Sequence, residues 1–358
     1  MVHTAKILAA CSAAIFAVPA LAQPVPDYDF DWVTIGDVGN IGYDGPDDYN
    51  LKVAGRGSVH YEYRIARLEV TTGQWLEYVN TFSTQSDDLA SFSQPSLWGA
   101  ERDRTYTGPG RRYVLSDKPD AASLPVFGLS WYEAATYTNW LHNDKASSME
   151  SLITGAYDST TWGVDPDGNP TDAPTHLPGA KFWIPTLDEW LKAAHYDPNK
   201  NGPGSPGWWL RGHRSDTPTL PGLPGIGESS AGLDIDDGFQ PFDIPLGAYS
   251  NIVSPWGLFD VSGGSEEWVE DYYSPDPGDL PPEPPTDRIF LGAEAGVGDT
   301  WALWERADLF STTRPSGNAG GLRIASTVPS PGPFMACAVS LMLASSRTAG
   351  CHRRSAKR

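Results

Sequence analysis

Apolar side chains recur at helical spacing in three stretches of the chain. Trp75, Tyr78, Val79 and Phe82 share one face of a segment introduced by Thr71 and Thr72, whose hydroxyls suit a helix start because they accept free backbone N–H groups. Ser130 opens the second stretch, with Glu133 three residues on as a capping-box partner, and Ala134, Tyr137, Trp140 and Leu141 follow. Thr186 and Glu189 repeat that arrangement ahead of Trp190, Leu191 and Ala194. The pattern predicts three helices, each turning an aromatic-rich face to a core.

Period-two alternation is rarer. Tyr61, Tyr63 and Ile65, then Leu68 and Val70, predict a half-buried strand within Val59 to Val70 that leads into the first helix. Residues 33–35, 182–184 and 322–325 carry weaker strand signals. Between His195 and Tyr249, Gly, Pro, Asp and Trp dominate. A loop of about fifty residues is longer than a compact domain carries without a functional or ion-binding reason.

The two ends read as address labels. Residues 1–22 hold Lys6, an apolar run from Ile7 to Ala17 and the small-residue close Ala20-Leu21-Ala22, the three-part pattern of a secretory signal peptide. Leu8-Ala9-Ala10-Cys11 offers the alternative of a lipoprotein box. At the other end, Val328-Pro329-Ser330-Pro331 precedes an apolar stretch from Phe334 to Ala344 and the basic residues Arg347, Arg353, Arg354, Lys357 and Arg358. The stretch is short against the roughly 20 residues of a stable span. This tail resembles the PEP-CTERM class of bacterial sorting signals, and the alternative is an amphipathic terminus that frays. The expected organisation is a signal peptide at 1–22, one domain at 23–327 and a sorting tail at 328–358, in a protein that is secreted or held at the bacterial surface.

Composition changes the picture in two ways. The chain has 37 Gly and 32 Pro, about a fifth of its length against a usual share near 12 %, which points to loops. It also has 14 Trp, 15 Tyr and 12 Phe, and disordered chains are poor in aromatics. The expectation is a loop-rich globule held by aromatic packing.

Charge and cysteine usage then exclude several functions. The 25 basic and 45 acidic residues give −20, and loss of the six basic residues in the two labels takes the domain to −26. A surface so acidic opposes nucleic acid and anionic lipid, both of which are bound by neutralising phosphates. Contact with a membrane is expected through the C-terminal tail alone. All three cysteines, Cys11, Cys337 and Cys351, fall in the labels, so the domain has no disulfide, thiolate zinc site or thiol nucleophile to work with.

Five blocks, in order, carry a family resemblance. They are Tyr63 to Thr71; Leu124-Pro125-Val126 with Ser130 to Ala134; Phe182 to Trp190, similar to "LPTEAEWE"; Gly257 to Trp268, similar to "GLYDMxGNVWEW"; and Gly321 to Ala325, similar to "GFRVA". Together they resemble the formylglycine-generating enzyme, or sulfatase-modifying factor, family. The resemblance implies an α+β, loop-rich single domain related to C-type lectins. It also implies copper bound by two cysteines shortly before the closing strand, but Asp299 to Arg323 contains none. Copper(I) needs soft thiolates that Asp and Glu cannot replace, so copper is not expected. Relatives that bind iron use histidines of an extra helical domain, for which this chain has no room. His60, His142, His176, His195 and His213 are scattered.

Calcium is the cofactor that the resemblance favours, because hard cations take carboxylates and carbonyls. Carried over by position, Asp260 and Glu267 supply side chains and Gly263 and Ser265 carbonyls. A second site places the side chain of Asp237 and the carbonyl of Phe239 in Asp236-Asp237-Gly238-Phe239-Gln240, with Glu228 and Ser229 nearby. Gly264 stands where the family has Asn and Glu266 where it has Trp, so a looser turn is expected. The alternative for Asp234, Asp236 and Asp237 is a solvated turn. Arg323 is expected to be a buried arginine paired with a carboxylate.

Glu266, Glu267, Glu270 and Asp271 also raise the prospect of a glycosidase-type acid pair. Trp208, Trp209, Trp301 and Trp304 are candidates for an aromatic platform or for the core. The functional expectation is a calcium-stabilised binding or scaffold module without thiol-oxidase activity, with an extracellular peptide or glycan held near Trp301, Trp304 and Arg314. Beyond that ligand, its partners are the export and sorting machinery. The alternative is an oxidoreductase of this family type, or another metal-dependent one, that uses non-thiolate ligands.

Overall fold

All three predicted helices form, and each is closed by the side chains at its start. Helix α1 is Thr72–Ser83, α2 is Trp131–His142 and α3 is Leu187–His195. Ser130 N donates to Glu133 Oε2 at 2.8 Å and Glu133 N to Ser130 Oγ at 3.2 Å. Thr186 and Glu189 repeat this at 2.8 and 3.1 Å. Thr71 and Gln74 form a third box ahead of α1, in which a glutamine does the work of the glutamate. Caps of this kind contribute about 1 kcal/mol each.

The computed structural model describes residues 25–329 apart from 173, 237 and 274–285, and one compact unit runs Asp27–Val328. The proposed leader at 1–22 and the tail beyond 329 lie outside the described residues.

Helices α1 and α2 meet through rings rather than aliphatic side chains. Trp75 stacks on Tyr137 at 5.0 Å, Tyr78 lies 5.4 Å from Trp140, and the Tyr78 hydroxyl bonds to Thr136 Oγ1 at 2.7 Å. Aromatic pairs add about 0.5–1.5 kcal/mol each beyond the area they bury. That contribution suits a chain with short strands.

The strands are β1 Trp32–Ile35, β2 Tyr63–Ala66, β3 Ala100–Arg102, β4 Tyr113–Leu115, β5 Phe182–Trp183, β6 Tyr196–Asp197, β7 Gly207–Trp208, β8 Glu267–Tyr272, β9 Arg288–Leu291, β10 Ser311–Thr313 and β11 Ala325–Thr327. The largest sheet is antiparallel in the order β1-β2-β11-β5. Ile65 lies opposite Val33 on one side and Ala325 on the other, so the first and last strands share a sheet. A second sheet runs β10-β9-β8.

Two strand expectations change. The half-buried strand within Val59 to Val70 is only Tyr63–Ala66, and all four residues are buried, because β2 has a strand on each edge and packing on both faces. The closing strand starts at Ala325 rather than at residue 322. Leu322 and Ile324 instead accept hydrogen bonds from Val70 N and Ala66 N. The long loop after His195 opens with the β6–β7 pair, where Trp208 is buried against Tyr43 and Tyr196 at 5.6 and 5.1 Å. Trp208 is therefore a core residue.

Candidate functional site

Arg323 and the acids of the 257–268 block meet at one buried node. Arg323 is fully buried and all five of its N–H groups are used. Nε and Nη2 bond to Glu267 Oε2 and Oε1 at 2.8 and 2.6 Å, Nη1 to the Ala66 and Arg67 carbonyls, and Nη2 also to the Phe259 carbonyl. Arg323 thereby ties the central strand β2, the 257–268 block and the closing segment together. Trp190 of α3 joins by donating Nε1–H to Glu267 Oε2 at 2.7 Å.

The turn before β8 holds the residues expected to bind calcium. Asp260 takes the left-handed conformation at φ 53°, which Asp and Asn tolerate better than most side chains. Its Oδ2 accepts Gly247 N at 2.5 Å. Gly263 N donates to Ala293 O at 2.7 Å, and Gly264 O accepts Ala295 N at 3.0 Å. Glu69, which sequence reasoning missed, reaches in from the segment before α1 and takes Ser265 N on both carboxylate oxygens at 3.1 and 3.0 Å.

The looser turn expected from Gly264 is not what forms. A Cβ at residue 264 would lie 2.4 Å from Glu69 Oε1, so the carboxylate of Glu69 occupies the space and anchors the turn from outside. The signal for Glu69 was an acid between apolar Leu68 and Val70.

Glu69, Asp260 and Glu267 are all buried beside a single cation, Arg323. Burial, reinforced by the charge of Glu267, pushes the Glu69 carboxyl well up. Burial also pushes Asp260 up to about 6. Three buried carboxyls facing one guanidinium leave an excess of negative charge that protons or a cation must offset. The donor chemistry fits a hard cation. Glu267 Oε2 already accepts two N–H groups and Oε1 one, so Oε1 keeps a lone pair. Among the described residues no group of three or more His, Cys, Asp and Glu side chains converges at metal distance; backbone carbonyls would have to complete a shell.

The second expected calcium site falls partly outside the described residues, since Asp237 is not among them. Beside it, Phe239 N donates to Asp234 O at 3.3 Å and Asp236 N to Asp234 Oδ1 at 2.8 Å. Glu228 accepts Leu220 N, and Ser229 Oγ bonds to Ser262 Oγ at 2.9 Å.

The other acids near β8 go separate ways. Glu266 meets Ser311 and feels the charge of Glu294; burial first, then that charge, pushes its carboxyl up to about 8. Glu270 bonds to His176 Nδ1 at 3.0 Å. Asp271 pairs with Arg56 and accepts Leu187 N. Glu266 and Glu267 thus serve different neighbours, whereas Glu270 and Asp271 both line a cavity of about 350 Å³ with Asp188 and His60.

Of the residues expected near a ligand, Arg314 lines a cleft of about 340 Å³ with Tyr132, Trp162, Gly163, Val164, Pro170, Pro315 and Ser316. Tyr132 and Trp162 stack at 4.5 Å. Tyr132 N donates to Pro315 O at 3.4 Å, joining the start of α2 to the far wall. The 164–170 loop is held by Asp165, whose carboxylate takes Asp167 N, Asn169 N and Asn169 Nδ2 at 2.8–3.0 Å. Sequence reasoning did not single out Tyr132, which entered only within the Ser130 to Ala134 block, or Trp162 as lining residues of this cleft.

Trp301 and Trp304 are not among the lining residues of that cleft. They belong to α4, the single turn Trp301–Trp304, and Trp301 donates Nε1–H to Thr219 O at 3.3 Å. This turn lies at the base of a loop whose Leu220, Leu223 and Ile226 are exposed. The expected grouping of Trp301, Trp304 and Arg314 around one cleft therefore does not form.

Short sheets, capped helices and an Arg-tied loop core define the α+β, loop-rich fold of sulfatase-modifying factors. The chain belongs to that family: the profile of the sulfatase-modifying factor enzyme 1-like domain matches residues 38–318. No curated protein matches the chain. Among solved structures it is similar to CarF (20 % identity, 84 % of this chain and 99 % of that one, TM-score 0.48). It is also similar to Treponema denticola variable protein 1 (17 %, 84 % and 95 %, 0.48) and to PvdO from Pseudomonas aeruginosa (16 %, 84 % and 92 %, 0.40).

Proposed function

We propose that this protein is an exported, calcium-stabilised binding module of the sulfatase-modifying factor family, without thiol-oxidase activity. Its ligand, a peptide or glycan, occupies the cleft of Tyr132, Trp162 and Arg314. The observation that carries this reading is the cleft's lining. It offers stacked rings, prolines and one guanidinium, and no carboxylate, imidazole or thiol among its lining residues. Such a surface can hold a ligand, and its only hydroxyls, on Tyr132 and Ser316, have no carboxylate or imidazole among the lining residues to activate them. Export rests on the leader and tail read from the sequence.

Calcium, in this reading, is held by Asp260 and Glu267 with the carbonyls of Gly263 and Ser265. It neutralises the excess charge around Arg323 and stiffens the turn that β8 leaves. Metal analysis of the protein as purified is expected to find calcium in stoichiometric amount. Chelation should then lower the melting temperature by about 5 °C, since calcium at a hundred times its Kd contributes about 2.7 kcal/mol at roughly 2 °C per kcal/mol for a domain this large. An unchanged melting temperature would remove calcium from the account. Stoichiometric iron or copper would favour the competing reading, a metal-dependent oxidoreductase. The observation behind that reading is the half-buried pair Glu266 and Glu294, both with carboxyls pushed up by burial.

A further inference from the structure

The cleft carries information about the charge of what it binds. Arg314 is exposed, in a domain whose net charge is strongly negative. Its Nη1 donates to the Gly168 carbonyl at 2.7 Å, and the guanidinium makes no ion pair and no other hydrogen bond among the described residues. One end of the guanidinium is thus fixed by the loop, while the Nε and Nη2 edge is left with its donors unused. Gly168 can present its carbonyl this way because it sits at φ 85°, a conformation that costs other residues a steric penalty. Of the two acids in the 164–170 loop, Asp165 is spent on the loop's own N–H groups, and Asp167 makes no ion pair with Arg314.

Beside that edge lie the stacked Tyr132 and Trp162, with Val164, Pro170 and Pro315 completing an apolar wall. Arg presents two parallel N–H groups that match the two oxygens of a carboxylate. A flat ring face packs on indole through its C–H groups. The volume of about 340 Å³ lies at the lower end of small-molecule sites, enough for one or two sugar rings.

Resting on the binding-module reading above, we propose that the cleft is a subsite for a carboxylate-bearing sugar. A hexuronate residue of an extracellular glycan stacks on the Tyr132–Trp162 pair and is read by Arg314. The strongly negative net charge of the chain would repel a polyanion in general, so a single positive edge in a shaped apolar site selects for position rather than for bulk charge.

The test uses tri-galacturonate and its methyl ester, titrated calorimetrically into the purified protein at two salt concentrations. The ester keeps the rings and removes the charge. The acid is expected to bind more tightly than the ester, and the affinity it owes to Arg314 to shrink as salt rises. Arg314→Gln should reduce affinity for the acid roughly tenfold or more, the scale of a charge-assisted hydrogen-bonded contact, and leave the ester unchanged. Trp162→Ala should weaken both, and an unchanged melting temperature of the Arg314→Gln protein confirms that folding is not the cause. Equal binding of acid and ester, both lost with Trp162→Ala, would overturn the carboxylate inference and leave a binding module for neutral glycans. Failure to bind either oligomer would also overturn the inference, with the binding-module reading still decided by metal content and by the peptide assay described below.

Discussion

Arg323→Met is expected to cost the protein on the order of 3–5 kcal/mol, the range found when one partner of a buried ion pair is removed. At roughly 2 °C per kcal/mol the melting temperature falls by about 6–10 °C. The reason is the accounting at the node. Arg323 is the partner of Glu267 and also satisfies the carbonyls of Ala66, Arg67 and Phe259. Its loss removes the guanidinium beside which Glu69, Asp260 and Glu267 are buried. Lys118→Met is the control, because the Lys118–Asp243 pair is 43 % and 32 % exposed and pairs of that kind contribute about 0–1 kcal/mol. Differential scanning calorimetry of the two variants separates them. Equal melting temperatures would show that the node does not hold the domain together.

Asp172→Asn is the second large effect, again on the order of 3–5 kcal/mol. Asp172 and Arg288 pair at 2.9 Å with neither side chain exposed. The guanidinium lies 3.7 Å from the Trp131 ring centroid and 3.8 Å from that of Tyr272. The amide keeps the shape but removes the charge that the sandwiched cation needs. Trp131 in turn lies 6.3 Å from Trp162, so loosening Arg288 should disturb the wall of the cleft as well. A fall in urea midpoint together with weaker ligand binding is expected. A stable variant with impaired binding would mean that Asp172 acts on the cleft without supporting the core.

The sequence made the helices legible because their information is local. Ser130 with Glu133 and Thr186 with Glu189 mark their own helix starts, and the spacing of Trp75, Tyr78 and Phe82 names the buried face. Arg323 was also legible, since a lone arginine between apolar Leu322 and Ile324 has few fates other than a buried partner. Glu69 was not. Its role comes from contact with Ser265, 196 residues away, and from the space above Gly264, neither of which leaves a mark in the local pattern.

The cleft was legible only in part. Arg314 was singled out, but it was grouped with Trp301 and Trp304 because all three fall in the stretch before the closing strand. Tyr132 and Trp162, which line the cleft with it, sit in distant segments and carried no signal that joined them to Arg314. A loop-rich chain brings distant segments together through backbone hydrogen bonds such as Tyr132 N to Pro315 O, and these carry no side-chain signature.

The central claim is that the family fold here serves binding and not thiol oxidation. It is tested most directly by incubating the purified protein with copper, oxygen and a cysteine-bearing sulfatase-type peptide, then weighing the peptide by mass spectrometry. The peptide is predicted to come back with its thiol intact and no aldehyde formed. Conversion to the aldehyde with multiple turnovers would contradict the account, because residues 27–328 contain no cysteine to hold the metal.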